Sequence, residues 1–414
     1  MLMWAVQWLV RRKLHRRALA EPLYGQHIDE RFGVYAPFEQ DPARPLIWLH
    51  AVSLGETRAA AILLQELRQT IPQMRLLLTN GTATGRAEGA KLLNGDDIQV
   101  WQPWDTSRAS GQFLTHFKPQ LGVLLETEVW PNLLAHARAA NTPVALVNAR
   151  LNDVSFRRSL RLKWLAQEAY RGLAGVYAQT KDDAARLQAL GASVRGVFGN
   201  LKFDVTPRAD QIEAAQLMRA TLKKPVILFA SSREGEEAVF LDALQALPPQ
   251  VYGRAQWLIV PRHPQRFDEV AQLIEANNLN VSRRGAWVDN TIWLGNSVGE
   301  MMFYSGLASV ALLGGSFKKW GGQNLIEILA SGCPVVMGPH TFNFEEAARL
   351  AIQSGVAFAS DSLPDAIQRC LELCHDQKRS LSQSATQFVA DHRGAASKTA
   401  LAMSALLTLS VERR

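Results

Sequence analysis

The sequence predicts an α/β protein made of two parallel-sheet domains. Three observations predict it. Short apolar runs of buried-strand type alternate with helix-like segments along most of the 414 residues, which calls for parallel sheets covered on both faces. Two segments echo one another: SLGE (53–56) and SSREGEE (231–237) each follow a strand and open a helix with Gly-Glu. A strand–loop–helix–strand unit, 309–344, places four glycines just before its helix. A chain of this length exceeds what one hydrophobic core usually serves, so two domains are expected.

The amino terminus comes first. MLMWAVQWLV is apolar and is followed at once by RRKLHRR. As a helix, ten residues cover about 15 Å, half of a hydrocarbon core, too short to span. A secretory signal would carry its charges before the apolar run, not after it. The pattern fits an interfacial anchor in which Trp4, Trp8 and Leu9 enter the membrane and the basic cluster meets anionic headgroups; a solvated basic tail is the plainer alternative. Net charge is +7, and Arg11, Arg12, Lys13, Arg16 and Arg17 supply five of those charges. The basic character is therefore local and does not imply a nucleic-acid surface.

Strands are expected at 46–51, 75–79, 98–101, 121–125, 143–147, 175–178 and 194–198, with a helix from about Glu56 to Thr70 whose Ala60, Leu63, Leu64 and Leu67 share a face. Ligands gather at the carboxyl ends of such strands. Ser53, Gly55 and Glu56 form a tight turn after the first. The helix dipole there favours an ionised Glu56, a proton acceptor; simple helix-start stabilisation is the alternative. Glu126 and Glu128 leave the fourth strand directly, and buried carboxylates are costly without partners. Asn148 and Arg150 follow the fifth; Arg150 can neutralise one of those acids or hold an anionic substrate.

Residues 199–222 are polar without a clear strand and are expected to contain the linker. Strands resume at 225–230, 256–260, 290–294, 309–313 and 334–337. Pro261, Arg262 and His263 end one of them, with Arg262 a candidate for a phosphate or base and His263 read as structural. Gly299 and Glu300 open the next helix. In the central unit, Gly314, Gly315, Gly321 and Gly322 precede Asn324, which starts a helix carrying Leu325, Ile328 and Leu329. Free N–H groups at that point suit a phosphate, and Glu327 can reach a ribose; tight turns and close packing would also explain the glycines. Cys333, Cys370 and Cys374, an odd set with no regular spacing, suggest a reducing compartment, and Cys370, Cys374 and His375 are read as core or surface rather than a metal site. No Gly-x-Gly-x-x-Gly follows the first strand and no P-loop is present, which disfavours dinucleotide oxidoreductases and P-loop NTPases. The lack of Asp-x-Asp argues against a metal-bridged diphosphate donor.

Taken together, HAVSLGE (50–56), ETEVWPN (126–132), NARL (148–151), GNLKFD (199–204), EGEE (234–237), PRHPQRF (261–267), GGSF and GGQN (314–324) and MGPHTFNF (337–344) resemble the Kdo transferases of lipid A assembly, Kdo being 3-deoxy-D-manno-octulosonic acid. The match is collinear from about residue 30 to 360. The resemblance implies a B-type glycosyltransferase fold, two Rossmann-like domains facing across a cleft that holds the active site. The expected layout is an anchor and basic segment (1–30), an acceptor domain (31–200), a linker (201–222), a CMP-sugar-binding domain (223–385) and a C-terminal helix (386–414). It implies CMP-Kdo as donor and a tetraacyl lipid A precursor (lipid IVA) as acceptor, at the cytoplasmic face of the bacterial inner membrane, with no cofactor and no metal. By the resemblance Glu56 is the general base, and Glu126 and Lys202 are transition-state stabilisers. Ser53, Gly55, Glu128, Asn148 and Arg150 are expected to bind substrate. CMP contacts map to Pro261, Arg262, Val298, Gly299, Glu300, Gly322, Asn324, Leu325, Ile326 and Glu327. The sequence departs from the family pattern at Arg233, Trp320, Gln323 and Leu325-Ile326. A sugar-nucleotide epimerase on the same fold and a catalytically silent membrane scaffold are the competing readings. The anchor speaks against the first, and the carboxylates at several strand ends against the second.

Overall fold

The computed structural model describes residues 2–161, 163–376 and 378–411. It divides into two compact units, one running to Asp204 and completed by the segment from Arg393, the other Val205–His392.

The first unit contains β1 (Leu46–His50), β2 (Arg75–Asn80), β3 (Ile98–Trp101), β4 (Leu121–Leu125), β5 (Val144–Ala149), β6 (Gly175–Ala178) and β7 (Val194–Val197). They form one sheet in the order β3-β2-β1-β4-β5-β6-β7, and each neighbouring pair is parallel. Every residue of β1 and β4 is buried, which is why these strands read as continuous apolar runs rather than alternating ones. On one face, Ile47, Leu49, Val123 and Val147 pack beneath Ala60, Leu63, Leu64 and Leu67 of the helix Leu54–Thr70. On the other, Trp48, Leu124 and Leu146 meet Phe113, Phe117, Leu133 and Leu187. The order reverses between β1 and β4, so the carboxyl ends of these two strands flank the crevice where such sheets take ligands.

The second unit is also a seven-stranded parallel sheet, with a different strand order. Its strands are β8 (Val226–Ser232), β9 (Gln256–Pro261), β10 (Val281–Arg283), β11 (Ile292–Leu294), β12 (Val310–Leu313), β13 (Val335–Met337) and β14 (Ala357–Ala359). Their order is β10-β11-β9-β8-β12-β13-β14, again wholly parallel. β8, like β1, is the strand at which the order reverses, which gives the SLGE/EGEE echo a structural basis. The edge strands β10 and β14 had not been anticipated; each is three residues long, too short to show a period. Cys370 and Cys374 are buried in the core of this unit.

Two expectations about layout meet a different arrangement. Residues 201–222, expected as linker, hold a 3-10 turn, Leu201–Asp204, in the first unit and a helix, Ala209–Thr221, in the second. Residues 386–414, expected as one C-terminal helix, comprise the end of the helix Lys378–Asp391 and a separate helix, Ala395–Val411. That last helix belongs to the first unit. Its Ala400, Met403, Leu406 and Leu407 bury against the helix Leu54–Thr70, and the Asp204 carboxylate accepts the backbone N–H groups of Gly394 and Ala396 that begin it. The last residue of GNLKFD thus serves as a capping acceptor.

The amino-terminal segment forms a helix, Leu2–Ala18. Leu14 packs into a small cluster with Tyr24, Ile28, Ala83 and Trp101, and Arg11 pairs with Asp29 at 2.8 Å. The expected membrane contacts of Trp4, Trp8 and Leu9 concern side chains outside the described residues. Among the described residues no helix is long and apolar enough to cross a membrane.

Candidate active site

Glu56 sits in the first turn of the helix that follows β1. Its carboxylate accepts the Val52 N–H at 2.8 Å and the Ser53 hydroxyl at 2.9 Å, while the Ser53 Oγ accepts the Glu56 N–H at 3.4 Å. This is a variant of the capping box, with the Glu56 carboxylate on the N–H one residue before the N-cap Ser53. It fixes the carboxylate at the carboxyl end of β1. The dipole had suggested a readily ionised group. Instead burial pushes the Glu56 carboxyl above its ordinary range; the charges of Glu128 and Glu126 push the same way, against the Val52 N–H and the Ser53 hydroxyl. A carboxylate with a raised pKa is a stronger base once ionised, which suits proton abstraction.

Glu126 lies just beyond β4 in a left-handed backbone conformation, φ 57°, which is uncommon for glutamate and is tolerated where surroundings impose it. Two cations are those surroundings. Arg150 Nε lies 2.7 Å from one carboxylate oxygen and Lys202 Nζ 3.9 Å from the other. Arg150 therefore takes the first of its two expected roles. Asn148, at the end of β5, is also left-handed, φ 51°. Its side-chain oxygen accepts the Leu201 N–H at 3.0 Å, and its backbone carbonyl accepts from Gln179 at 2.9 Å. Asn148 thus ties GNLKFD to the end of β5 and brings Lys202 to Glu126. The Asn148 amide nitrogen is buried and has no hydrogen-bond acceptor among the described residues.

Glu128 is held by the Trp130 indole N–H at 2.8 Å and faces His50 Nε2 at 3.7 Å. The His50 ring is fully buried, with Nδ1 on the Thr79 hydroxyl at 2.7 Å. Sequence reasoning gave neither His50 nor Trp130 a role, although both stand in quoted motifs. The signal was a histidine closing an otherwise apolar strand. Glu56, Glu126, Glu128, Asn148, Arg150 and Lys202 all lie at the carboxyl end of the first sheet. A groove of about 580 Å³ lined by Tyr35, Phe38, Arg75, Ile98 and Phe117 lies instead by the amino ends of β2 and β3.

In the second unit the organising group is Glu236, fully buried at the start of the helix Glu236–Gln245. Its carboxylate accepts three backbone N–H groups: Arg233 at 3.0 Å, Gly315 at 2.8 Å and Phe317 at 3.2 Å. Burial raises its pKa, and those three donors oppose the rise. Neighbouring Glu237 is also buried, paired with Arg266 at 2.7 Å and accepting from Ser232 at 2.8 Å. Thus Glu236 shapes the glycine loop after β12 and Glu237 locks β8 to the segment after β9. Gly314 cannot carry a side chain, because its Cβ would overlap the Ser231 carbonyl. Gly322 adopts φ 76° and closes the loop by donating its N–H to the Gly315 carbonyl at 2.8 Å.

Two of the positions that depart from the family pattern touch one another. The Arg233 guanidinium lies over the Trp320 ring, 4.3 Å from its centroid. Such a contact contributes about 0.5–1 kcal/mol when partly exposed. A double-mutant cycle of Arg233→Ala and Trp320→Ala, read by urea denaturation, is expected to return a coupling energy of about that size. Strictly additive single effects would show that the two residues do not act as a pair.

The remaining expected residues are placed as follows. Pro261 ends β9, and the Arg262 N–H donates to the Ser232 carbonyl at 3.0 Å. Val298 is 75% exposed, Gly299 has φ 81°, and Glu300 precedes the helix Met301–Leu307, paired with Arg284 at 3.3 Å and accepting from Ser297. Burial favours a neutral Glu300, but Ser297 and Arg284 prevail and hold its carboxyl below the ordinary range. Asn324 precedes the helix Leu325–Ala330. Leu325 and Ile326 are fully buried.

The family model described as 3-Deoxy-D-manno-octulosonic-acid transferase (kdotransferase) matches residues 26–205. A 3-deoxy-D-manno-octulosonic acid transferase of Bordetella pertussis is 42% identical over 96% of this chain and 94% of its own. That of Haemophilus influenzae is 32% identical over 91% of each. A glycosyltransferase structure from Rickettsia africae superposes with a TM-score of 0.56 at 13% identity, covering 88% of this chain and 99% of its own, a likeness of fold. Both sheets have the doubly wound plan of B-type glycosyltransferases. The chain belongs to the 3-deoxy-D-manno-octulosonic acid transferases, a glycosyltransferase family.

Proposed function

We propose that this chain transfers Kdo from CMP-Kdo to a sugar hydroxyl of a tetraacyl lipid A precursor, in one or more rounds, as a step of lipopolysaccharide synthesis at the cytoplasmic face of the inner membrane. The observation that carries the proposal is the Glu56 carboxylate, held by Val52 and Ser53 and kept basic by burial beside Glu126 and Glu128.

In this reading ionised Glu56 removes the acceptor hydroxyl proton as that oxygen attacks the anomeric carbon of Kdo. The new C–O bond forms on one face while the bond to the CMP phosphate breaks on the other, so the configuration inverts. Positive charge grows on the sugar and negative charge on the departing phosphate. Glu126 offsets the first; Arg150 and Lys202, which hold it, also suit the carboxylate of Kdo. The second unit serves the nucleotide. The N–H groups at 322–327 and the Arg262 guanidinium stabilise the leaving phosphate, and Glu327 suits a ribose. All of these are groups of the chain itself, and the proposal requires no metal.

The test is to incubate the protein with CMP-Kdo and the lipid A precursor and to follow CMP release and the lipid mass. Release of CMP matched by lipid bearing Kdo is the expected result. CMP-Kdo left intact, or hydrolysed without lipid product, would overturn the proposal.

A further inference from the structure

We infer that His50 is a positioning residue for the transfer reaction: its ring Nε2–H holds the Glu128 carboxylate at the end of β1, where that charge acts on Glu56. The inference rests on the proposal that Glu56 is the base, and it names the group that keeps the acidic neighbour of Glu56 in place.

β1 is an apolar strand that closes on an imidazole. Side chains two apart on a strand share a face, so His50 lies on the same face as Trp48. Both are fully buried. β2 runs parallel beside β1 and sets Thr79, also fully buried, opposite His50. The two rings meet at the Thr79 hydroxyl. The Trp48 indole N–H donates to its Oγ1 at 2.8 Å, and His50 Nδ1 lies 2.7 Å from the same oxygen.

These contacts fix the tautomer. An indole nitrogen only donates, so the Thr79 oxygen accepts from Trp48. Among the described residues the Thr79 hydroxyl hydrogen then has one acceptor, His50 Nδ1. A proton on Nδ1 would leave a buried hydroxyl without an acceptor and turn a bare Nε2 toward a carboxylate, both unfavourable. The ring proton therefore sits on Nε2. That atom is buried and makes no hydrogen bond among the described residues, and Glu128 Oε2 lies 3.7 Å from it. The Trp130 indole N–H donates to the same Oε2 at 2.8 Å. One carboxylate oxygen thus stands between two N–H groups, bonded to one and just short of the other. Contacts of this kind are often long in a free enzyme and tighten in the reacting complex. A histidine serving only the core would have both ring nitrogens satisfied.

The other charged groups at this place are Glu56 and Glu126, and Glu126 has its own cations, Arg150 and Lys202. Among the described residues Glu128 has no arginine or lysine within ion-pair distance; Trp130 and His50 are what hold it. Without His50, Glu128 keeps the indole alone, and its charge is free to move away from Glu56.

The test uses the full chain and two replacements that divide the ring. An asparagine amide stands near the place of Nδ1 and keeps a partner for Thr79. A glutamine amide reaches the place of Nε2 and keeps a donor for Glu128. His50→Asn is expected to lower kcat/KM about tenfold and to move its acid limb toward lower pH, the direction set by taking a like charge from Glu56. His50→Gln is expected to keep the parental limb. In a Glu128→Gln background, His50→Asn is expected to leave the limb where Glu128→Gln puts it, because both act through one carboxylate. Limbs that coincide in the asparagine and glutamine variants, or a further move in the double variant, would overturn the inference. A second measurement needs no turnover and no stable variant of low activity. Ring nitrogen NMR spectra of the parent, with His50 assigned by the signals absent from His50→Gln, are expected to show Nε2 protonated and Nδ1 bare. A protonated Nδ1 would defeat the inference whatever the kinetics show. Failure of the proposed function reads differently: a parent that transfers no Kdo with His50 in the expected tautomer removes the reaction, and with it the role of His50, while the contact stands.

Discussion

Glu56→Gln is expected to lower kcat by about 10²- to 10⁴-fold, the usual contribution of a positioned general base, while CMP binding stays at the parental level. Glutamine is isosteric, so its side-chain oxygen can still accept the Val52 N–H that Glu56 accepts at 2.8 Å. The turn survives, and what is lost is the proton acceptor. Glu56→Ala is expected to show the same kinetic loss with an added loss of stability, about 1 kcal/mol for the missing cap interaction. The measurement is single-turnover transfer alongside calorimetric CMP titration. Turnover within a few-fold of the parent would remove Glu56 from the mechanism.

The pH profile of the parent carries the same argument. Burial, then Glu128 and Glu126, raise the Glu56 pKa. A base must be deprotonated, so kcat/KM is expected to fall as pH drops through that raised value, with its acid limb above the ordinary glutamate range. Glu128→Gln removes one of the like charges. The limb is then expected to move to lower pH, because ionising Glu56 is no longer opposed by that neighbour. A shift to higher pH would contradict the assignment.

Glu236→Ala is the second large effect expected, and it acts on stability. One buried carboxylate collects the N–H groups of Arg233, Gly315 and Phe317. Its removal leaves three donors in a site built around a charge. Unsatisfied buried donors cost about 1–3 kcal/mol each, and partial hydration lessens the sum; a net loss of about 3–5 kcal/mol is expected. Urea denaturation reads it directly, and CMP affinity is expected to fall more than tenfold because the glycine loop loses its template. Glu236→Gln keeps one acceptor and is expected to lie between alanine and the parent. A parental denaturation midpoint in the alanine variant would show that the loop holds its own shape.

These two glutamates also show how differently sequence and tertiary structure contributed. Both were visible as Gly-Glu after a strand. Only the placement of β1 and β8 at the strand where each sheet's order reverses gave the echo a meaning, and only the contacts separated their functions. Glu56 is turned to its own turn and to the acids of β4. Glu236 is turned inward to a loop some eighty residues on. Each follows a glycine at the start of a helix, Glu56 as the third helical residue and Glu236 as the first, and that local difference does not tell a proposed base from a loop template. Arg150 illustrates what structure adds: the sequence left its acidic partner open, and the 2.7 Å contact identifies it as Glu126. Arg233 and Trp320, each only a departure in the sequence, become one contact in space.

What the sequence determined by itself was the succession of buried strands and amphipathic helices, the parallel two-sheet plan, the family, and the positions of the carboxylates at strand ends. These follow from hydrophobic periodicity and collinear motifs, which act over a few residues at a time. What only the tertiary structure decided was which charges neutralise which, that Asp204 caps a helix beginning at Ala395, and that this helix completes the first unit rather than trailing from the second. Those outcomes depend on contacts between residues far apart in the chain. Their energies come from burial and from satisfying each polar group that burial strips of water, and neither is set until the sheets have formed.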